Sequence, residues 1–406
     1  MKIIIKGLKN LTFARLMTFV ILACIFLGSL NLINRYYYFI FIAGLLFLVT
    51  PKRRFRLGVS FFVLLAFSMS ILIFDPGSQT MTTNMIKPFA YPLCYLMGVS
   101  LFSTKEKEAP DLIREEKRTS AVIYVITGGV MLHFILNMIT NWGLDDRNVI
   151  DFWTKDDMSA TGQATLACFM IAVVAAFLFS NVGKLKKIIA VAALVVILSY
   201  NLILAGRTIF ALLLILLGFA FLYNLYENKI SRKSLGIIVA VVLIAALLFA
   251  LYSSNLFGIK DAVEDSNFYD RFFGGNSTQE LDDDKRMTYK LMYLDLFFDH
   301  LWGGGAIHKE VGHHAHDLYL DTYSDAGIFA FLAIVIYVLS SLYRAIKCAF
   351  SRNLTFQTRS LILCTYLTVN IQFWLEPILN GVPWLLAAYC LIDGAVTRLL
   401  WEEEKI

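Results

Sequence analysis

The chain has 406 residues, 58% of them hydrophobic, with a mean hydropathy of +0.66. Apolar runs this long exclude an ordinary soluble enzyme, and the formal net charge of +5 carries no argument for nucleic acid, because basic residues in a membrane protein report orientation first. The six cysteines, Cys24, Cys94, Cys168, Cys348, Cys364 and Cys390, lie in or beside apolar runs, which excludes a disulfide framework or a CxxC metal site.

In chain order the sequence reads as an all-α integral membrane protein of about twelve transmembrane helices. The first span covers about residues 14–33 and lacks a cleavage site, so it reads as uncleaved. Spans two to six lie near 36–50, 57–74, 88–103, 120–139 and 161–180. A charged stretch, Lys105 to Arg118, precedes the fifth span, and an acidic loop with Asp145, Asp146, Asp151, Asp156 and Asp157 follows it. Spans seven and eight, near 188–205 and 208–226, are separated only by Gly206 and Arg207. The ninth lies near 235–252, the tenth runs from about 317 to just before Arg344, and the last two lie near 360–378 and 383–400. The chain thus divides into a membrane domain 1–252, a large, partly helical loop domain 253–316, and a membrane domain 317–406.

Loop charge alternates along this order. Lys52, Arg53, Arg54 and Arg56, then Lys184 to Lys187, Lys229 to Lys233 and Arg344 to Arg359 fall on one side, while the other side is poor in basic residues. The positive-inside rule predicts cytoplasmic termini and an extracytoplasmic long loop. All candidate functional groups then face away from ATP and nucleotide sugars.

The loop carries His300, His308, His313, His314 and His316, leaving only His133 elsewhere. Their spacing matches no zinc pattern, so no metal is expected. Asp282 to Leu301 is predicted to be an amphipathic helix opened by three aspartates and ended by Gly303–Gly305. Its apolar stripe is Met287, Leu291, Leu294, Phe298 and Leu301, and Arg286, Lys290 and Tyr293 form a neighbouring polar strip. An arginine fork suits phosphate, although spacing alone also fits a solvated basic face.

Arg207, in Leu204-Ala-Gly-Arg-Thr208, is costly in a tight hairpin between two spans unless paired or wet; the alternative is snorkelling to the head groups. His316 stands before Asp317 at a helix start, and a neutral imidazole can take a hydroxyl proton. Asp317, Asp321 and Asp325 are spaced by four and so share one helix face, suited to acceptor hydroxyls or to tuning His316. Glu376-Pro377 is either a kink lining a cavity or a span end. Arg271 is a further phosphate candidate.

The arginine at Ala205-Gly-Arg-Thr208, the loop-helix arginine before a glycine-rich turn, and His316-Asp-Leu-Tyr-Leu-Asp-Thr-Tyr-Ser-Asp-Ala-Gly327 together resemble the O-antigen ligase and O-antigen polymerase superfamily. That family usually has asparagine after the histidine, where this chain has Asp317. The resemblance implies a GT-C-like membrane glycosyltransferase that moves a glycan, with inversion, from undecaprenyl pyrophosphate to an acceptor hydroxyl. It implies no metal and no other cofactor. By the same resemblance Arg207 and Arg286, helped by Lys290, grip the pyrophosphate and His316 is the base. The implied partners are the lipid-linked donor, a glycan or lipid-anchored acceptor, membrane lipids, and a chain-length regulator or other assembly protein. The acidic loop and aspartate face favour a sugar acceptor, hence a polymerase, over a ligase acting on a lipid anchor. A transporter or flippase would spread its polar groups through mid-membrane, whereas here they gather at one edge. A scaffold without activity would tolerate alanine at Arg207, Arg286 and His316.

Overall fold

The computed structural model describes residues 13–32, 36–50, 55–74, 87–102, 111–142, 148–204, 206–228, 253–255, 259–264, 269 and 286–405. Their helices are α1 (Phe13–Ser29), α2 (Tyr36–Val49), α3 (Val59–Phe74), α4 (Ala90–Ser100), α5 (Leu112–Thr140), α6 (Ala160–Phe179), α7 (Lys184–Leu204) and α8 (Arg207–Asn228). They continue with α9 (Ile259–Glu264), α10 (Arg286–Asp295), α11 (Ala306–Val311), α12 (Leu318–Phe350), α13 (Phe356–Leu375), α14 (Ile378–Gly381) and α15 (Pro383–Glu403). Among the described residues α5 to α8, α12 and α15 are the six helices long and apolar enough to cross a membrane, and α1 to α3 are apolar but shorter. The protein is therefore a mostly helical, multi-pass membrane protein. The predicted ninth span, near 235–252, and Arg271 lie outside the described residues.

The bundle is held by close backbone approach and by charge pairing at one end. A Cβ on Gly98 of α4 would lie 2.1 Å from the Leu391 carbonyl of α15, and one on Gly394 would lie 2.2 Å from the Tyr95 carbonyl. Small residues at this crossing let the helices touch where no hydrophobic drive separates helix from lipid. At the end of the bundle where α5 and α13 begin, Arg398 pairs with Glu115 at 2.6 Å, and Arg359 with Glu227 at 2.7 Å. Nearby, Arg344 grips Asp393 with two bonds of 2.9 and 2.6 Å. Glu116 accepts from Thr355 N at 3.2 Å and Thr358 Oγ1 at 2.6 Å.

This pairing corrects two predicted boundaries. The charged stretch before the fifth span is partly helix, since α5 begins at Leu112 with Glu115 and Glu116 buried against their partners. The helix of the tenth span continues past Arg344 to Phe350, where Asp393 and Glu404 neutralise Arg344 and Lys347. The acidic loop also departs from the all-helical expectation. It folds as an antiparallel pair, β1 (Asn148–Ile150) with β2 (Asp157–Ser159). Asn141 fastens it by accepting from Ile150 N at 2.7 Å and donating to its carbonyl at 2.8 Å.

Candidate functional site

The site assembles at the opposite end of the bundle, where α13 ends and α12 begins. The loop helix is shorter than predicted: it spans Arg286–Asp295, with turns through Asp299, rather than reaching Leu301. The physical reason is the Phe297 ring, which stacks on Tyr323 of α12 at 3.8 Å while the Phe297 carbonyl accepts from the Tyr323 hydroxyl. The predicted opening aspartates, Asp282 to Asp284, lie outside the described residues. Tyr293, Ile307, Ala315 and Tyr323 form a small core that fixes α10 and α11 to the start of α12.

The glycine run does not end the helix as predicted; it fills a break in α12. Gly327 has φ 77° and ψ −174° inside the helix, so the ladder is interrupted there. Gly304 N donates to the Asp325 carbonyl at 2.8 Å and Gly305 N to the Ser324 carbonyl at 2.9 Å, while Ile328 N donates to the Leu301 carbonyl at 3.0 Å. A Cβ on Gly303 would lie 2.5 Å from Gly327 N, so side chains are excluded from this contact.

α10 presents its two cations to the end of α13. Arg286 Nη1 donates to the Leu375 carbonyl at 3.4 Å and lies 3.7 Å from Glu376 Oε1. Lys290 Nζ donates to the Trp374 carbonyl and lies 3.5 Å from Asp317 Oδ2. Helix C-terminal carbonyls attract cations. Glu376 and Asp317 are both buried, so each cation is also matched by a carboxylate. Glu376 is thus a span end rather than a kink inside one, because α13 stops at Leu375. Arg207 opens α8 at this same end. Tyr223 donates to the Ala349 carbonyl at 2.6 Å and Glu227 pairs with Arg359, so α8 and α13 run antiparallel and Arg207 stands about 30 Å from that pairing.

The three aspartates do not line a substrate face together. Asp317 Oδ1 caps α12, accepting from Tyr319 N at 2.8 Å and Leu320 N at 3.2 Å. Asp321, 1% exposed, accepts from Ala315 N at 2.8 Å and from Asp317 N at 3.2 Å. Asp325 accepts from Asn380 Nδ2 at 3.0 Å and is the half-open member of the three. Asp317 Oδ1 and both Asp321 oxygens accept from backbone amides, a demand that a helix-face pattern does not display, while Asp317 Oδ2 is turned to Lys290.

The histidines separate by environment. His316 adopts φ 55°, a left-handed conformation uncommon for a residue with a Cβ. His313 stacks on Tyr289 at 4.6 Å, and its carbonyl accepts from Tyr293 at 2.8 Å. His314 stacks on His308 at 4.2 Å, with Nδ1 3.8 Å from Asp321 Oδ1. Burial, then the neighbouring His308, push His314 below its ordinary pKa and keep it neutral. His300 meets Glu310 at 3.0 Å, away from the cations. Among the described residues no group of three or more His, Cys, Asp or Glu is placed to hold a metal ion.

Burial raises the Asp317 pKa above 3.8, and the Lys290 ammonium offsets it. A carboxyl raised in the fold contributes stability that is full below its unfolded pKa of about 4 and is lost as pH rises through the folded value. Asp317→Asn keeps the cap, since asparagine caps as well as aspartate. The variant is therefore expected to match or exceed the parent in thermal midpoint at neutral pH, with the gain fading toward about pH 4. Unfolding in detergent at both pH values checks this; a lower midpoint for the variant at neutral pH would show that the Lys290 contact outweighs the burial cost.

Residues 192–335 match the family model described as O-Antigen ligase. The match runs from within α7 into α12 and contains Arg207, Arg286, Lys290 and His316 through Gly327, but not Glu376 or Asn380. No curated protein matches the chain. Asn380 is the functional neighbour that sequence reasoning missed, and nothing about a lone asparagine after a span marks it.

Proposed function

We propose that this chain, a member of the O-antigen ligase and polymerase superfamily, transfers a glycan from undecaprenyl pyrophosphate to an acceptor hydroxyl at the outer face of the bacterial inner (plasma) membrane. The observation that carries the reading is that Lys290 reaches Asp317 at 3.5 Å, one residue from the histidine, while Arg286, one turn earlier on the same helix, meets the end of α13 at the Leu375 carbonyl. A pyrophosphate leaving group and a proton acceptor are needed within one site, and both chemistries meet here.

In the proposed step the acceptor oxygen attacks the anomeric carbon. The bond from that carbon to the pyrophosphate oxygen breaks with its electron pair, and the hydroxyl proton passes to His316. Arg286, Lys290 and Arg207 stabilise the charge that develops on the leaving oxygen. Attack opposite the leaving group inverts the anomeric centre. Asp325, half-open beside Asn380, is the carboxylate left to accept from an acceptor hydroxyl. The exposed stripe of Met287, Leu291, Leu294 and Phe298 lies beside the cations and suits an apolar leaflet boundary. With this site outside, both termini lie in the cytoplasm.

The test is transfer by the purified full chain in lipid nanodiscs, given a short undecaprenyl-pyrophosphate-linked glycan with and without a separate lipid-anchored acceptor. A ladder from donor alone identifies a polymerase, and product only with the second acceptor identifies a ligase. Release of no carrier lipid under either condition would refute glycan transfer.

A further inference from the structure

We infer that Asp321 is a positioning residue for His316, fixing the imidazole through the backbone on either side of it. This rests on the base assignment above. The carboxylate spans the turn: Oδ1 accepts from Ala315 N at 2.8 Å and Oδ2 from Asp317 N at 3.2 Å, so one side chain ties the amides immediately before and after His316. Between them His316 sits at φ 55°. A left-handed conformation is unfavourable for an ordinary residue and persists only where its surroundings over-determine it. Successive amides that converge on one anion form a nest. Here the acceptor is a carboxyl group of the chain itself, one turn into α12.

The remaining contacts agree. Tyr293 holds the His313 carbonyl at 2.8 Å, and Ala315 is fully buried. The corner is therefore fastened at 313, 315 and 317, on both sides of His316. Asp321 is 1% exposed, so burial keeps its carboxyl from a substrate hydroxyl. The spacing of four from Asp317 follows from the same geometry: a carboxylate on the first full turn of a helix reaches back to the amides that precede it, as in a capping box read one residue further out.

The experiment compares Asp321→Asn, Asp321→Ala and His316→Ala in the full chain, measuring kcat, donor KM and the pH–rate profile beside thermal unfolding. Asparagine is isosteric but presents an amine to one of the two N–H groups, so it keeps one bond and loses the other. The expected result for Asp321→Asn is a fall in kcat of roughly 10- to 100-fold. Donor KM should stay within about threefold, and the acid limb should move by about half a unit as the imidazole changes surroundings. Alanine should cost more than asparagine. A raised KM with unchanged kcat would make Asp321 a substrate ligand and overturn the inference. So would an Asp321→Asn enzyme with the parent kcat and pH profile beside an inactive His316→Ala enzyme. An active His316→Ala enzyme would overturn the base assignment itself, and this inference with it.

Discussion

His316→Ala is expected to lower kcat by roughly 10²- to 10⁴-fold, the usual contribution of a positioned general base, while leaving insertion and folding intact. Its neighbours give the internal comparison. His313 is occupied by Tyr289 and His314 by His308 and Asp321, so His313→Ala and His314→Ala should each cost less than about tenfold, the scale of a misaligned support rather than a lost base. The measurement is single-turnover transfer from a lipid-linked glycan by each purified variant. If His314→Ala were the inactive variant and His316→Ala the active one, the base would have to be moved two residues. The proposal keeps His316 because its corner is fixed through the amides on both sides of it.

Arg286→Ala is expected to cost roughly 10²- to 10³-fold in transfer, comparable to removing one donor that stabilises a developing anion. Lysine should not restore it, because a point charge cannot make two parallel bonds to phosphate. A complication is that Arg286 also faces the buried Glu376 at 3.7 Å, and an uncompensated buried carboxylate destabilises a fold in its own right. Glu376→Gln separates the effects. The single Glu376→Gln variant retains the arginine and should keep most of its turnover, and the double variant Arg286→Ala/Glu376→Gln should regain thermal stability without regaining activity. Recovery of transfer in the double variant would show that Arg286 serves only to neutralise Glu376.

The six helices of membrane length among the described residues were legible in the sequence because apolar runs that long leave little else to be. Their ends were less so. Charge at Arg344 and Lys347 read as a stop, yet the partners that carry the helix past them, Asp393 and Glu404, lie in a different helix. The same limit applies at the site. Arg286, Lys290 and His316 were readable as residue types at plausible spacing, and the structure brings Lys290 to the turn that carries His316. Periodicity placed Asp317, Asp321 and Asp325 on one face, but it cannot say which carboxylate is spent on backbone amides. Glu376 stood out only as a buried acid before a proline; its pairing with Arg286 joins positions 90 apart, a separation no local pattern spans.

The break at Gly327 ties the fate of the loop to that of a membrane helix. Two carbonyls and one amide of α12 pair with residues 301–305. If the loop lifted away, those groups would be left unpaired near lipid, where each costs several kcal/mol. Loop and span therefore cannot come apart by small steps. This seam behaves as a rivet rather than a hinge, so any opening at this end of the bundle is expected to come from movement elsewhere.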